Sequence, residues 1–315
     1  MRIVEEAALR AAVTPFDAVA AIREAFRADG EGRAHVPPVV NLDVPAHRGE
    51  FHVKTAYIEG VPYVAVKIAS GFFGNVAKGL PSGSGLIAVF SAETGLAEAL
   101  LLDNGFLTDI RTGAAGAVAA ECLAPQSIRT VGVLGSGVQA RWQLRCLREV
   151  RSFSRVVAWA RDRMRLELYC REMREEGFDV SAAVTPEAVC AAADLLVTTT
   201  PSREPLVQAS WLRPGQHVTA LGSDSPGKQE LEAACLARAD VIVVDRLTQC
   251  ASFGELRHAL DAGLLRADRV RADLGEIVAG LMPGRSGPDQ ISIADLTGVG
   301  FQDTAIASLA LASLA

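Results

Sequence analysis

The sequence predicts an α/β fold in which a doubly wound parallel sheet is set inside a mixed α+β domain. Three observations carry this. A short apolar run, Thr130–Leu134, passes directly into Gly135-Ser136-Gly137-Val138-Gln139-Ala140, and a helix-like segment, Gln139–Glu149, follows. From there strand-like and helix-like segments alternate. The first 105 residues lack that rhythm, and an apolar helix is left over at the C-terminal end.

The elements follow in order. A helix spans Pro15–Ala28, and short strands cover Phe51–Tyr57, Tyr63–Ile68, Gly85–Ser91 and Ala97–Asn104, punctuated by Gly and Pro. Leu86–Phe90 and Ala99–Leu102, joined through Glu93-Thr94-Gly95, form a hairpin. This part is a mixed or antiparallel domain that supplies substrate contacts. Next comes an Ala/Gly-rich helix, Thr108–Leu123, with Thr108 as its N-cap and Pro125 as its stop. The central strands are Thr130–Leu134, Arg155–Trp159, Asp194–Thr199, His217–Leu221 and Asp240–Val244, with helices such as Asp162–Glu176 and Pro186–Ala193 between them. The closing helix, Asp303–Ala315, returns to the first domain.

At 315 residues the chain suits about two domains. Half of it is hydrophobic and 22% is charged, as in soluble globular proteins. The net charge of −6 and the scattered basic residues exclude a nucleic-acid binder. Six cysteines, none in a CxxC, are expected to be buried small hydrophobes rather than disulfides or zinc ligands, which fits a reducing cytoplasm; no metal site is expected. MRIVEEAALRAAV has no apolar h-region, and no stretch is long enough to span a bilayer.

Each small residue of the glycine loop has a mechanical task. Gly135 permits the tight strand-to-helix turn, Gly137 lets a pyrophosphate approach the backbone, and Ala140 lets the helix pack close to the strand. The helix N-terminus then presents free N–H groups and a positive dipole end to phosphates. Ligands of doubly wound sheets sit beyond the carboxyl ends of strands, so the residues after Leu134, Thr199 and Leu221 face the cofactor.

Five further residues could carry chemistry. Lys67 ends the apolar run Tyr63–Val66; alone it reads as a solvated edge lysine, but the glycine-rich Ile68-Ala69-Ser70-Gly71-Phe72-Phe73-Gly74 after it favours a cleft wall, where it could hold a carboxylate or polarise an imine. Lys54 and His52 share one strand face, either a solvated face or a second cationic patch for an anionic substrate. Arg111, in the first turn of its helix, can fork onto a carboxylate or pair with Asp109 or Asp103. Asp224, past a strand end, is either a proton relay or an Asx-turn or helix cap before a helix over Lys228–Ala237.

Several ordered motifs together point to one family: Lys67, Lys78-Gly79-Leu80-Pro81, Glu93-Thr94-Gly95, Leu107-Thr108-Asp109-Ile110-Arg111-Thr112, the glycine loop, Ser223-Asp224-Ser225-Pro226-Gly227-Lys228-Gln229-Glu230 and Asp295-Leu296-Thr297-Gly298-Val299-Gly300-Phe301-Gln302-Asp303. With these motifs the chain resembles the ornithine cyclodeaminase/mu-crystallin family along nearly its whole length. The resemblance implies a homodimer. It implies a substrate-binding and dimerisation domain over 1–115 plus 300–315, and an NAD(P)-binding Rossmann domain over 116–299 between them. It also implies that Lys67 and Arg111 hold the substrate α-carboxylate and that Asp224 is the acid/base. Thr112 and the Gly298–Gly300 loop, with Val299 and Gly300, would line the nicotinamide. Gly135, Ser136, Gly137, Val138, Gln139 and Ala140 would cradle the pyrophosphate, with Thr199, Thr200 and Ser223 along the cofactor.

The family's activities are ornithine cyclodeamination, amino-acid dehydrogenation, ketimine reduction and non-catalytic crystallin-type binding. Where cyclodeaminases look to carry a glutamate suited to a cationic ornithine side chain, this chain reads His52-Val53-Lys54-Thr55. Lys54 would repel an ammonium and attract a second carboxylate. The family's Pro-x-Arg is replaced by Pro37-Pro38-Val39-Val40-Asn41. The segment 51–83 is most similar to the subgroup containing ectoine-utilisation proteins and iminosuccinate reductases. The expected activity is therefore imine reduction with NAD(H) or NADP(H), iminosuccinate giving aspartate; the alternatives are cyclodeamination of ornithine with recycled NAD and a crystallin-type binding protein. The end of the second strand, Trp159-Ala160-Arg161-Asp162-Arg163, leaves the dinucleotide open. Arg161 and Arg163 suit a 2′-phosphate, whereas Asp162 suits a ribose hydroxyl if the strand runs two residues further.

Overall fold

A computed structural model describes residues 1–72 and 74–314. Phe73, within the run after Lys67, and Ala315, the end of the predicted last helix and domain, lie outside the described residues. The chain divides into two compact units, Met1–Arg111 with Val299–Ala315, and Thr112–Gly298.

The first unit begins with β1 (Arg2–Glu5), α1 (Glu6–Ala12) and α2 (Pro15–Gly30). Thr14 caps α2 by accepting from Asp17 N, and Pro15 sits at the first helical position. Then come β2 (Ala34–His35), β3 (Val40–Val44), β4 (Gly49–Ile58), β5 (Tyr63–Phe72), β6 (Gly83–Ser91) and β7 (Ala97–Leu102). They form one sheet in the order β1-β7-β6-β5-β4-β2, with β3 also on β4; only β1 and β7 pair in parallel. The predicted hairpin is β6–β7.

In register, Lys54 lies opposite Lys67, Lys67 opposite Ile87, and Ile87 opposite Leu101, so all four share one sheet face. Ala65, Ile87, Val89 and Leu101 on that face are fully buried. It is covered by α11 (Gly300–Ser313), whose Thr304 hydroxyl donates to Ala56 O and accepts from Ala65 N. Gly300 is required there, since a Cβ would fall 2.2 Å from Thr55 O. Phe26 of α2 meets Phe301 of α11 edge-on at 5.2 Å, worth about 0.5–1.5 kcal/mol beyond area burial.

Helix α3 (Phe106–Leu123) begins two residues earlier than expected. Asp103, not Thr108, serves its N-terminus: its carboxylate accepts from Leu107 N at 2.9 Å, and Asn104 and Gly105 take positive φ to make the turn. Arg111 consequently lies in the second helical turn, past the terminal N–H groups.

The second unit contains β8 (Thr130–Leu134), α4 (Val138–Leu147), β9 (Arg155–Trp159), α5 (Arg163–Glu175), β10 (Val180–Ala182), α6 (Pro186–Ala192), β11 (Leu195–Thr198), β12 (His217–Ala220), α7 (Ala233–Arg238), β13 (Val241–Val244), α8 (Leu247–Phe253), α9 (Glu255–Asp261), β14 (Ala272–Asp273), α10 (Leu274–Val278) and β15 (Ser292–Asp295). All eight strands are parallel, in the order β10-β9-β8-β11-β12-β15-β13-β14. The fold is α/β with a doubly wound parallel sheet, as the alternation predicts. Strands β1, β2 and β3 escaped the sequence reading, and so did three strands of this sheet, β10, β14 and β15. The last of them, β15, lies inside the sheet between β12 and β13, so the central unit was not complete at residue 244. The helix expected over Lys228–Ala237 is reduced to α7, because residues 228–232 are held extended by carboxylates described below.

Candidate functional site

In the first unit the sheet and α11 bring two cations onto one acid. Lys67 is 2% exposed, so it is neither solvated nor at an edge. Its Nζ donates to Asp303 Oδ1 at 2.8 Å, and Arg111 Nε donates to the same oxygen at 3.1 Å. Arg111 Nη1 donates to Gln302 Oε1 at 3.0 Å. Neither Asp109 nor Asp103 is the partner of Arg111. Burial, reinforced by Arg111 and by Lys54, lowers the Lys67 ammonium to about 7 despite Asp303. The two cations hold Asp303 below the ordinary carboxylate range against its own burial.

Lys54 belongs to this cluster by register. His52, two residues along the same face, has Nδ1 2.5 Å from Asn41 Oδ1 and Nε2 3.3 Å from a Glu50 oxygen. Asp303 and Gln302 were absent from the expected site residues. The signal was available: Asp303 is the sole charged residue of α11, and a lone acid in an apolar helix requires a partner.

In the second unit, β8 enters the glycine loop at the switch point where the sheet turns outward toward β9 on one side and β11 on the other. Gly135 has φ 124°, and a Cβ there would fall 2.4 Å from Thr199 Oγ1. At Gly137 a Cβ would meet nothing within 4 Å, so packing does not demand glycine there. Gly137 is the N-cap of α4, which has no acid in its first turn. Arg141 fixes the loop by donating to Ser136 O at 2.7 Å and Gly137 O at 2.9 Å, while it pairs with Glu172. Val138 is exposed at the helix start, Gln139 half-buried, and Ala140 buried as expected.

Other expected cofactor residues are differently employed. The strand β9 stops at Trp159, and the Asp162 carboxylate caps α5 through Arg165 N at 3.1 Å, while Arg161 and Arg163 are exposed. Ser223 is buried, and its hydroxyl donates to Lys228 O and Phe253 O. Asp224 is exposed and paired with Lys228 Nζ at 2.6 Å; it caps no helix and is not buried. Thr199 Oγ1 donates back to Leu134 O, and Thr112 O accepts from Gln143 Nε2. Val299 is buried at the start of α11.

The loops after β11 and β12 are tied together by a residue the sequence reading left inside a motif. Buried Glu230 accepts from Thr198 Oγ1 at 2.6 Å, from Gly222 N at 2.8 Å and from Thr200 N. Glu255 accepts in turn from Glu230 N and Leu231 N, and Asp295 from Leu256 N. Asp245 holds the next turn through Thr297 N and Gly298 N. Desolvation raises Glu230 and Asp295 to about 7 each, and Glu255 well above its ordinary value.

Residues 2–313 match the ornithine cyclodeaminase/mu-crystallin family. The chain belongs to that family. A relative from Sinorhizobium fredii, an uncharacterized cyclodeaminase, is 50% identical over 98% of this chain and 95% of its own. An archaeal alanine dehydrogenase dimer with bound NAD superposes with a TM-score of 0.94 at 35% identity, covering 99% of this chain and 95% of that one. The iminosuccinate reductase of Paracoccus denitrificans is 34% identical over 98% of this chain and 94% of its own. Its NAD⁺ complex superposes with a TM-score of 0.90, covering 99% of this chain and 96% of that one. For a member of this family the glycine loop fits a dinucleotide: an exposed glycine with free space over it, at a helix N-terminus without acids, suits a pyrophosphate. Among the described residues no group of His, Cys, Asp or Glu is arranged to hold a metal, and no helix is long and apolar enough to cross a membrane. Among the described residues none of the six cysteines forms a disulfide, and five of them are buried.

Proposed function

We propose that this family member is an NAD(P)H-dependent imine reductase acting on a 2-imino acid, with iminosuccinate, reduced to aspartate, as its preferred substrate. The observation that carries the reading is the buried Lys67–Asp303–Arg111 cluster with Lys54 alongside. Two cations around one acid leave a net positive charge in a desolvated place, which is costly until an anion joins it. An α-carboxylate balances Lys67 and Arg111. Lys54 provides for the second carboxylate of a dicarboxylate.

The nicotinamide, when bound, supplies a hydride to the carbon of the C=N bond. Gly135, Gly137 and the first N–H groups of α4 would hold the pyrophosphate, with Thr199 and Thr200 nearby in the loop after β11. The chain's own residues bind and orient: Arg111 and Lys67 fix the carboxylate and so the face of the imine. The proton that completes the amine is assigned to Asp224 or a water that it holds; its exposure suits exchange with solvent. Iminosuccinate, hydride and one proton thus give aspartate. The family's dimeric alanine dehydrogenase supports a homodimer here.

The cyclodeaminase reading keeps one point in its favour, the name carried by the 50%-identical relative. Against it stands Lys54, a cation beside the site where an ornithine side chain would need an acid. The two readings separate in one assay. Oxaloacetate with ammonia should consume NADH or NADPH stoichiometrically with aspartate formed, and ornithine should yield neither proline nor ammonia. Proline and ammonia from ornithine with no net NADH change would overturn the reductase reading. Turnover of pyruvate- or glyoxylate-derived imines in preference to iminosuccinate would overturn the substrate. Cofactor binding with no turnover of any imine would leave a crystallin-type binding protein.

A further inference from the structure

The carboxylate of Asp303 is fully buried and faces two cations, yet the cluster is not satisfied from within. Asp303 Oδ2 and Gln302 Nε2 are buried and have no hydrogen-bond partner among the described residues. A core ion pair that served stability alone would close such valences, because an unmade buried hydrogen bond costs about 1–3 kcal/mol. One N–H of the Lys67 ammonium and one of the Arg111 guanidinium are spent on Asp303, and Gln302 takes another from Arg111. Among the described residues no other bond engages the remaining donors of the two cations, which are left for a ligand.

We propose that Asp303 is the positioning residue of this site: accepting from Lys67 and Arg111 on one oxygen, it holds both cations in fixed relation before the imino acid arrives. This rests on the reading of Lys67 and Arg111 as the carboxylate receptor. Without Asp303, Lys67 would sit buried between Arg111 and Lys54 with no carboxylate bonded to it and would lose its proton more readily. The charged groups facing Lys67 are Lys54 from β4, Arg111 from α3, Asp303 from α11, and the carboxylate of Asp103 ahead of α3, whose ionised form Lys67 favours; the β6 residue opposite it is Ile87. Of these, Asp303 alone is bonded to Lys67. With Lys67 near 7 in the intact cluster, little margin exists at neutral pH.

The test is Asp303→Asn, which keeps an acceptor and removes the charge. Imine reduction by the wild type should fall as pH rises through the ionisation of Lys67. In the variant that limb should move to lower pH by about 1–3 units. KM for the imino acid should rise at pH 7, with NADH affinity by fluorescence titration unchanged. An unmoved limb in a folded variant overturns the proposal. Lys67 can also be read without turnover. The chain has four lysines (Lys54, Lys67, Lys78 and Lys228), so NMR titration of lysine-labelled protein follows each, with Lys67 identified by its absence in Lys67→Met. A Lys67 titration at the same pH in wild type and Asp303→Asn overturns the proposal even if no imine is ever turned over, which separates it from failure of the reductase reading. Asp303→Ser, smaller and still an acceptor, repeats both measurements if the asparagine variant does not fold. Failure of both to fold assigns Asp303 to the core and overturns the proposal as well.

Discussion

At the scale of single residues, Gly135 and Gly137 are alike in the motif but do different work. Gly135 is glycine for the protein's sake: φ 124° and the 2.4 Å approach of Thr199 Oγ1 leave no place for a Cβ. Gly135→Ala is expected to destabilise by about 1–3 kcal/mol and to lose NADH binding with the displaced loop. Gly137 is open to space. Gly137→Ala should therefore keep the melting temperature of the wild type and still weaken NADH, since the added methyl stands where a phosphate must approach. Unchanged NADH affinity there would remove Gly137 from the pyrophosphate site. Asp162 differs again. Its carboxylate caps α5, so Asp162→Ala should cost about 1 kcal/mol in chemical denaturation without altering the preference between NADH and NADPH. A changed preference would restore Asp162 as the ribose ligand.

Elements are fixed here by buried carboxylates at the ends of strands, and these carry a pH signature. Glu230 joins the loops after β11 and β12 through Thr198, Thr200 and Gly222. Its folded-state value of about 7 lies above the ordinary glutamate value of 4.5. Between those values the folded state binds more protons than the unfolded state, so this group's contribution to stability falls as pH rises from about 4.5 to 7. Glu230→Gln removes that dependence. The variant should gain on the wild type across this window by up to about 3 kcal/mol, read as the difference between urea curves at pH 5 and pH 8. A pH-independent difference would show that Glu230 is ionised throughout. The same residue explains where sequence reasoning stopped. Five of the eight central strands and the helices read between them declared themselves by apolar period and by glycine, and their limits were legible to within a residue or two. The run Lys228–Ala237 was read as one helix following Asp224. Glu255, however, takes the N–H groups of Glu230 and Leu231, and those bonds keep the segment extended. No local pattern announces a partner that lies 24 or 25 residues away. Lys67, Arg111 and Lys54 were legible as charges in apolar surroundings. Asp303 was legible as a lone acid in an apolar helix, but its partners were not, since Lys67 and Arg111 lie 236 and 192 residues away.

For the whole molecule, the seven-stranded sheet poses a question that its own helices do not answer. The face carrying Lys67 is covered by α11. The opposite face, one residue out of phase, carries Val53, Val66, Ile68, Leu86, Ala88 and Leu100, with Ile68 39% exposed and the rest half-buried. Val40 and Leu42 of β3 and Ile3 of β1 extend the same apolar character to the sheet's edges and are more exposed still. A soluble monomer rarely leaves so much contiguous apolar surface to water. A second copy of this chain is the occupant we infer, in line with the relative that was solved as a dimer. An isologous pairing would set this face against itself, burying apolar residues symmetrically. Sedimentation should then give twice the 33.2 kDa chain mass at micromolar concentration. Ile68→Asp, which places a charge at the middle of the face, should release monomers and lower the concentration-dependent melting temperature. Its neighbour Lys67 points the other way, so the lysine titration should be preserved in that variant. A monomeric wild type, or an Ile68→Asp protein still sedimenting as a dimer, would show that the pairing uses another surface.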